Sequence, residues 1–231
     1  MFKLHLNNEI DSRKKELDGI LLRDCNWSVK TAGPSPFDNE RTELFLLGCR
    51  KAIEGNPCKG CFNSSTWDNS KAEWSHDIDL MAKHINNNAP HKYITIGGGE
   101  PTDQIDNLIL LCKKLKEFGF HIMIYTWRSL NSMLEGDSQG VHIKNICSKT
   151  KELLKYIDIV VDGEFKEEER LWDGEKKDGL ISSVGSGNQI IWDIRNKIGY
   201  HMRSLNGISI DKESNNLIYD IKINNKINLN Y

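Results

Sequence analysis

The chain has 231 residues, enough for one domain of ordinary size with a substantial core, and its 31 basic residues nearly balance its 33 acidic ones. This balance leaves no electrostatic footprint for nucleic acid or for an anionic membrane surface. No run of about 18 apolar residues occurs, and the first residues lack the hydrophobic region of a signal peptide. We therefore expect a cytoplasmic protein that binds neither nucleic acid nor a membrane.

Residues 1–40 show little periodicity and predict an irregular or helical lead-in that ends in a turn-rich stretch. Short apolar runs then alternate with helical segments. Strands are predicted at 43–48, 92–96, 121–126 and 158–163, and helices at 75–86, 105–119 and 148–156. This alternation indicates βαβ units and a parallel sheet, so the loops after the strands should meet at one edge. The last residues, 200–231, form a separate appendage that contains a predicted β-hairpin.

Three of the six cysteines, Cys49, Cys58 and Cys61, follow the first predicted strand in a single loop. In a chain of this length, clustered cysteines favour metal or redox chemistry over disulfides, and thiolates prefer soft or borderline metals. One interpretation is an iron–sulfur cluster whose fourth iron stays open to a small ligand; another is zinc, with His76 or His91 as the fourth ligand. Three unligated thiols are the third interpretation. The scattered cysteines are predicted to be buried free thiols: Cys25, Cys112 and Cys147.

A glycine-rich turn, Gly97-Gly98-Gly99, follows the second predicted strand and leads into Glu100. Glycines let the backbone approach a ligand closely and adopt positive φ, although a simple tight turn is the alternative explanation. We favour ligand contact because the turn should share one edge of the sheet with the cysteine loop. Glu100 either accepts a hydrogen bond from a ligand ammonium group or caps the following segment.

The ends of the later strands add polar candidates. Thr126 either donates to a ligand or has a structural role at its strand end. Asp162 either accepts a ribose hydroxyl or lies in a plain Asp-Gly turn. The amides of Asn188 and Gln189 either face a ligand or satisfy the backbone of their own loop.

The order of these motifs resembles the radical S-adenosylmethionine activating enzymes, and among them the family that activates anaerobic ribonucleoside-triphosphate reductase. The motifs that carry the resemblance are Arg41–Phe45, Gly48-Cys49, Cys58–Asn63, Thr66-Trp67, Gly98–Pro101, Ile124–Thr126, Asp158–Phe165 and Gly185–Gln189. The resemblance implies an incomplete parallel (β/α) barrel over residues 41–199, smaller than an eight-stranded barrel.

The resemblance also implies a [4Fe–4S] cluster on Cys49, Cys58 and Cys61, with S-adenosylmethionine chelating the remaining iron. A low-potential electron, from a donor such as flavodoxin or ferredoxin, would cleave the sulfonium bond to give methionine and a 5′-deoxyadenosyl radical. That radical would abstract hydrogen from a glycine of the partner reductase and leave a stored glycyl radical. The alternatives are a small-molecule enzyme similar to 7-carboxy-7-deazaguanine synthase and a non-catalytic zinc-binding adaptor.

For the second cofactor, the resemblance implies that Gly60, Cys61 and Phe62 line S-adenosylmethionine, with Phe62 beside the adenine. Gly98 and Gly99 would meet its methionine end.

The chain departs from the family pattern at two places near the predicted site. The family has the spacing C-x₃-C-x₂-C, whereas eight residues, Arg50 to Pro57, separate the first two cysteines here. We expect this insertion to bulge outward as a loop without moving the thiols. Trp127 stands where the family usually has a glycine, which would reshape the far side of the cofactor site.

Overall fold

The computed structural model describes residues 19–20, 22–30, 32–68, 76–137, 143–171 and 185–231. The strands are β1 (Gly19–Ile20), β2 (Leu22–Val29), β3 (Arg41–Leu46), β4 (His76–Asp77), β5 (Tyr93–Gly98), β6 (His121–Tyr125), β7 (Ile159–Asp162), β8 (Ile190–Asp193), β9 (Ile198–His201), β10 (Leu205–Ile210), β11 (Leu217–Ile221) and β12 (Lys226–Asn228). The helices are α1 (Arg50–Ile53), α2 (Ile78–Asn88), α3 (Ile105–Glu117), α4 (Leu130–Glu135) and α5 (Ile146–Leu153). No helix in these ranges is long and apolar enough to cross a membrane.

The predicted α/β class is confirmed, but the main sheet is mixed rather than wholly parallel. Its eight strands lie in the order β12-β9-β8-β7-β6-β5-β3-β2. The four predicted strands, β3, β5, β6 and β7, are parallel neighbours. Strands β2, β8, β9 and β12 extend the sheet with antiparallel pairing. Helices connect the parallel strands because parallel pairing requires a crossover, whereas the antiparallel strands β8 and β9 are joined directly by a short turn.

The two faces of the sheet bury different layers because successive side chains of a strand point to opposite sides. One face packs against the helices, and the strand residues of this layer include Leu44, Leu46, Ile94, Ile96, Ile122, Ile124 and Val160. The opposite face is covered in part by the hairpin of β10 and β11, and this second cluster includes Met123, Ile159, Val161, Ile191, Leu205 and Ile208. The C-terminal hairpin predicted from alternation is therefore present.

Helices α2 and α3 follow from local sequence signals. Asp77 caps α2 by accepting a hydrogen bond from the Leu80 amide at 2.9 Å. The predicted apolar stripe of α3 is buried, and its members are Ile105, Leu108, Leu111, Cys112 and Leu115. Gly119, at φ +81, ends the helical segment as predicted, since glycine adopts this conformation without a Cβ penalty.

The lead-in differs from the prediction. Residues 22–29 form the edge strand β2, which pairs with β3, and Ile20 belongs to the short strand β1. The helix considered for residues 9–22 lies mostly outside the described residues. The sequence of β2 shows no strand pattern because only two of its residues, Leu22 and Cys25, are buried. Hydrogen bonding to β3 stabilises this strand.

A buried arginine ties the loop before β3 to the sheet. Arg41 is fully buried and donates from Nε to Thr95 Oγ1 at 2.8 Å, from Nη1 to the Pro34 carbonyl at 2.7 Å and from Nη2 to the Ile94 carbonyl at 2.6 Å. Burial lowers the pKa of Arg41 to about 10, which leaves it charged at neutral pH. Its hydrogen bonds fix the start of β3, whose other end carries the cysteine loop.

Candidate functional site

A cavity of about 290 Å³ lies where the carboxyl ends of the four parallel strands meet. The predicted convergence of strand ends at one edge is therefore present in the structure. The lining includes Cys49, Cys58 and Cys61 after β3, Gly97–Glu100 from β5 and its end, Tyr125–Trp127 from β6 and its end, and Gly163 and Phe165 after β7. Its volume is near the lower end of the range for small-molecule sites, roughly 300–1,000 Å³.

All three cysteines of the loop line this cavity, and none of them forms a disulfide. Cys49 is buried, whereas Cys58 and Cys61 are half-buried. Burial raises the pKa of Cys49 to about 12 and that of Cys58 to about 11, so these thiols stay protonated until a cation binds. Within the described ranges, no three His, Cys, Asp or Glu side chains are arranged to hold a metal ion. We therefore expect loading of a cluster to turn the thiols toward one another.

Backbone hydrogen bonds hold Cys49 at its place after β3. Gly48 turns the chain at φ +93, and its amide donates to the Thr66 carbonyl at 2.8 Å. The Cys49 amide donates to the Trp67 carbonyl at 2.9 Å. These two hydrogen bonds join the end of the cysteine loop, at Thr66 and Trp67, to its beginning at Gly48 and Cys49. The loop is therefore closed despite the long spacing between the first two cysteines.

The three glycines after β5 have different roles. A Cβ at Gly98, at φ +105, would overlap the Leu46 backbone, and a Cβ at Gly99 would overlap the Gly48 backbone. The close approach of the neighbouring backbone therefore requires glycine at Gly98 and Gly99, independently of any contact with a ligand. A Cβ at Gly97 would meet nothing within 4 Å, so Gly97 is the glycine that leaves space in the cavity.

Glu100 caps the turn that follows it, which is the second of its two predicted roles. Its Oε1 accepts from the Thr102 amide at 2.9 Å and from the Thr126 hydroxyl at 2.8 Å, and its Oε2 accepts from the Trp127 amide at 3.0 Å. Burial raises the pKa of Glu100, and the neighbouring Arg128 guanidinium and Thr102 oppose the rise. Thr126 is likewise engaged within the protein. A contact of Glu100 or Thr126 with a ligand stays a prediction.

Sequence reasoning missed Arg128, which lies at the centre of this network. Its side chain is fully buried, with Nη1 3.4 Å from Glu100 Oε1 and donating to the Thr102 hydroxyl. Its Nη2 donates to Asp103 Oδ1 at 2.6 Å, and its carbonyl accepts from the Gly163 amide at 3.2 Å. Arg128 thus joins the loops after β5, β6 and β7. The only signal in the sequence was its position two residues after Thr126.

The structure places Asp162 outside the cavity lining. Its Oδ2 accepts the Leu130 amide at 2.6 Å and so holds the start of α4, while burial raises its pKa to about 6. The amide of Asn188 donates to the Glu164 carbonyl at 2.9 Å. Gln189 lines the cavity, and its amide donates to the Gly163 carbonyl at 2.8 Å. Both amides therefore satisfy loop backbone, and a ligand role for Asp162 or Asn188 remains only a prediction.

Phe62 and Gly60 lie against the segment that follows β7. Phe62 lines the cavity, is 42% exposed, and packs edge-on against Phe165 with ring centroids 4.9 Å apart. The Arg170 guanidinium lies 4.6 Å from the Phe62 ring centroid. A Cβ at Gly60, at φ +75, would overlap the carboxylate of Glu167. The half-exposed Phe62 ring leaves apolar surface for the predicted adenine contact.

His91, one of the two histidines proposed for a zinc site, does not line the cavity. His91 lies before β5, at the opposite end of the parallel strands, where it stacks on Phe37 with ring centroids 3.9 Å apart and lies 3.6 Å from Glu40. His76 pairs with Ile20 in the two-stranded sheet of β1 and β4. The zinc interpretation with His91 is therefore wrong, and the one with His76 stays a prediction because the His76 side chain lies outside the described part of the structure.

Glu43 is a second residue that sequence reasoning did not single out. It lies on β3 and lines the cavity with Phe45, two residues further along the strand on the same face. Burial raises the pKa of its carboxyl to about 7. The alternation of side chains along β3 predicts that Glu43 and Phe45 point to the same face of the sheet. Glu43 was missed because the strand was identified from its apolar residues.

The donor set fits an iron–sulfur cluster with three protein ligands. Cys49, Cys58 and Cys61 line one cavity, and His91, one of the two ligands considered for a zinc site, lies elsewhere. Beside the thiols, the missing side chain at Gly97 and the exposed part of Phe62 leave room for a small ligand.

The fold and site thus define an α/β protein with a cysteine-lined cavity at the ends of its parallel strands. Comparison with known proteins identifies the family within this class: residues 39–192 match the family described as a 4Fe-4S single cluster domain. The chain belongs to this family. The match covers most of the predicted main domain, residues 41–199, and stops before the C-terminal hairpin.

Three similar proteins each carry the name anaerobic ribonucleoside-triphosphate reductase-activating protein. The relative from Haemophilus influenzae is 26% identical over 161 residues, covering 67% of this chain and 88% of the relative. The relative from Enterobacteria phage T4 is 26% identical over 155 residues, covering 62% of this chain and 85% of the relative. The relative from Vibrio cholerae is 26% identical over 156 residues, covering 65% of this chain and 86% of the relative. The resemblance to this activating-enzyme family is therefore confirmed.

Proposed function

We propose that the chain is a radical S-adenosylmethionine activase that generates a glycyl radical on an anaerobic ribonucleoside-triphosphate reductase. The observation that carries the proposal is the meeting of Cys49, Cys58 and Cys61 in one cavity despite their unusual spacing. Family membership and the names of the three relatives support it. The four parallel strands would be the core of the predicted partial barrel.

Cys49, Cys58 and Cys61 would hold the [4Fe–4S] cluster, and the cavity beside them would hold S-adenosylmethionine. When bound, this pair supplies reductive cleavage of the sulfonium bond and hydrogen abstraction from the partner glycine, with the electron coming from a donor such as flavodoxin or ferredoxin. The chain's own contribution is orientation and exclusion of water. Phe62 would pack against the adenine, and the backbone at Gly98 and Gly99 would meet the methionine end.

The network around Glu100 would keep this cavity in shape while the cofactor binds. Its carboxylate holds the amides of Thr102 and Trp127, and Arg128 ties the same carboxylate to the loop after β6. Preorganised loops of this kind lower the ordering cost that binding would otherwise carry. Glu43, which faces the same cavity, is a candidate contact for the substrate side of the site.

The test is anaerobic reconstitution of the full chain with iron and sulfide, followed by reduction and addition of S-adenosylmethionine. We expect 5′-deoxyadenosine from the wild type and none from Cys58→Ala, with Cys147→Ala behaving as the wild type. Addition of the reductase should then give the electron paramagnetic resonance signal of a glycyl radical. A chain that takes up zinc, forms no cluster and releases no deoxyadenosine would contradict the proposal. Deoxyadenosine without any radical on the reductase would favour the small-molecule alternative.

A further inference from the structure

Most of the inserted segment Arg50–Pro57 is exposed, as expected for an outward loop, but one of its side chains is buried. The segment begins as the helical turn α1, and the Arg50 amide donates to Asp103 Oδ2 at 2.7 Å. The Lys51 side chain is only 8% exposed, whereas Ile53, two residues later, is 57% exposed. The insertion therefore turns one cationic side chain inward, toward the rim of the cavity.

Lys51 closes the insertion on itself. Its Nζ donates to the Asn56 carbonyl at 2.7 Å, and its own carbonyl accepts the Asn56 amide at 3.0 Å. Asn56 stands two residues before Cys58, so the closed segment ends directly at a predicted cluster ligand. The position of Cys58 therefore depends on the conformation that Lys51 holds.

Lys51 also joins the insertion to two other strand ends. Its Nζ lies 3.2 Å from Glu164 Oε1, in the loop after β7. The same ammonium lies 5.5 Å from the ring centroid of Trp127, which lines the cavity after β6. Trp127 is the second departure from the family pattern, so the two departures contact each other.

The cost of burying a charge indicates that specific contacts hold Lys51 in its inward conformation. A buried ammonium is stable only when its lost hydration is replaced by an ion pair and hydrogen bonds. A lysine in a loose surface loop would remain in water, so the inward conformation is held by Glu164, the Asn56 carbonyl and the face of the Trp127 ring together. Removing the charge would leave Glu164 without this ion pair, whereas the Trp127 ring would keep the Arg128 guanidinium 4.7 Å from its centroid.

We propose that Lys51 is a positioning residue that locks the eight-residue insertion against Trp127 and Glu164 and so sets Cys58 beside the other two thiols. The insertion and Trp127 are then a matched pair that compensates for the altered cysteine spacing. This proposal rests on the assignment of the three thiols to the cluster. It assigns the insertion to cluster positioning and does not require any contact with the partner.

The experiment compares Lys51→Met, Lys51→Arg and Lys59→Met with the wild type after anaerobic reconstitution. Lys59 is the matched control because it is exposed and stands directly before Gly60 in the same loop. The readouts are iron per chain, the rate of iron loss to a chelator, and the electron paramagnetic resonance spectrum of the reduced cluster. Circular dichroism establishes that each variant is folded.

We expect Lys51→Met to lose iron about tenfold faster, near the low end of the effect of residues that orient metal ligands, with a changed spectrum. Lys51→Arg should restore much of the wild-type behaviour because it keeps the charge, and Lys59→Met should match the wild type. Lys51→Met should have a smaller effect in a Trp127→Gly background, since residues in contact are not additive. A folded Lys51→Met with wild-type iron release and spectrum would overturn the proposal.

If Lys51→Met does not fold, Glu164→Gln decides the question, because it removes the partner charge and leaves Lys51 in place. Faster iron release in Glu164→Gln supports the proposal, and wild-type release overturns it. Failure of the wild type to take up iron, or retention of iron by Cys58→Ala, would instead contradict the assignment of the cluster. The two failures are thus distinguishable.

Discussion

Arg128 and Asp103 form a buried ion pair that joins two loops of the cavity. Arg128 Nη2 donates to Asp103 Oδ1 at 2.6 Å, and the other oxygen of the same carboxylate accepts the Arg50 amide at 2.7 Å. The loop after β6 is thereby connected, through the loop after β5, to the first residue beyond Cys49. Arg128 thus supports the start of the cysteine loop through Asp103.

The first prediction concerns Arg128 and the two carboxylates that it contacts, Glu100 and Asp103. Arg128→Met should lower the free energy of unfolding by about 3–5 kcal/mol, because it leaves the buried Glu100 carboxylate without its cation. Urea denaturation of the apoprotein measures the loss. Lys155→Met, which removes an exposed ion pair with Glu152, is the control and should leave the urea midpoint unchanged. An Arg128→Met midpoint equal to that of the control would show that the network does not stabilise the fold.

The second prediction separates the roles of two glycines. Gly99→Ala places a Cβ on the Gly48 backbone next to Cys49, so we expect a loss of about 1–3 kcal/mol or more in stability and poor iron uptake. Gly97→Ala meets nothing within 4 Å and should leave the free energy of unfolding unchanged or slightly raised. Thermal denaturation and iron content measure both effects. Equal destabilisation by the two substitutions would contradict the distinction.

Gly97 can also be tested as part of the cavity wall. Gly97→Val fills space that the cavity now provides, so it should weaken S-adenosylmethionine binding to the reconstituted protein more than it lowers stability. Isothermal titration of the loaded protein measures the affinity. Wild-type affinity in a folded Gly97→Val variant would place the cofactor away from this glycine.

Much of this arrangement was accessible from the sequence, because it depends on local patterns. The apolar runs specify β3, β5, β6 and β7, the period of α3 specifies its buried stripe, and the convergence of the cysteine loop with the glycine turn follows from parallel pairing. The three cysteines line one cavity because all of them lie in one loop at one strand end.

The missed features depend on contacts between distant parts of the chain. Arg128 looks like an ordinary charged residue until the fold places Glu100 and Asp103 around it. The same is true of Lys51, whose partner Glu164 lies more than a hundred residues further along. Strand β2 was missed because edge strands bury few residues and its stability comes from pairing with β3.

The third prediction concerns the thiols. Alanine at Cys49, Cys58 or Cys61 should abolish stable cluster binding, because a [4Fe–4S] cluster with three protein ligands has none to spare. Cys147→Ala is the control, since Cys147 lies on α5, away from the cavity lining. Iron and sulfide per chain after gel filtration measure the result. Full cluster content in any of the three variants would remove that cysteine from the ligand set.

The last prediction concerns pH and Glu43. Its pKa is raised by burial from the ordinary 4.5 to about 7, so the folded protein keeps a proton that the unfolded chain releases. Folding therefore takes up a proton between these two values, and this carboxyl makes the protein less stable as the pH rises from about 4.5 to about 7. The effect reaches at most about 3 kcal/mol, and partial solvation of the carboxyl reduces it.

Glu43→Gln removes this titration, so its stability advantage over the wild type should grow with pH through that window and level off above about 7. Urea midpoints at closely spaced pH values measure the difference, with the exposed Glu135→Gln as the control for substituting a carboxyl. The buried His121, whose pKa burial lowers to about 3, destabilises the fold toward acid in every variant and so cancels in the comparison. A difference that stays constant with pH would mean that Glu43 is ionised in the cavity, and a carboxylate there would favour a cationic or hydrogen-bond-donating group of the substrate.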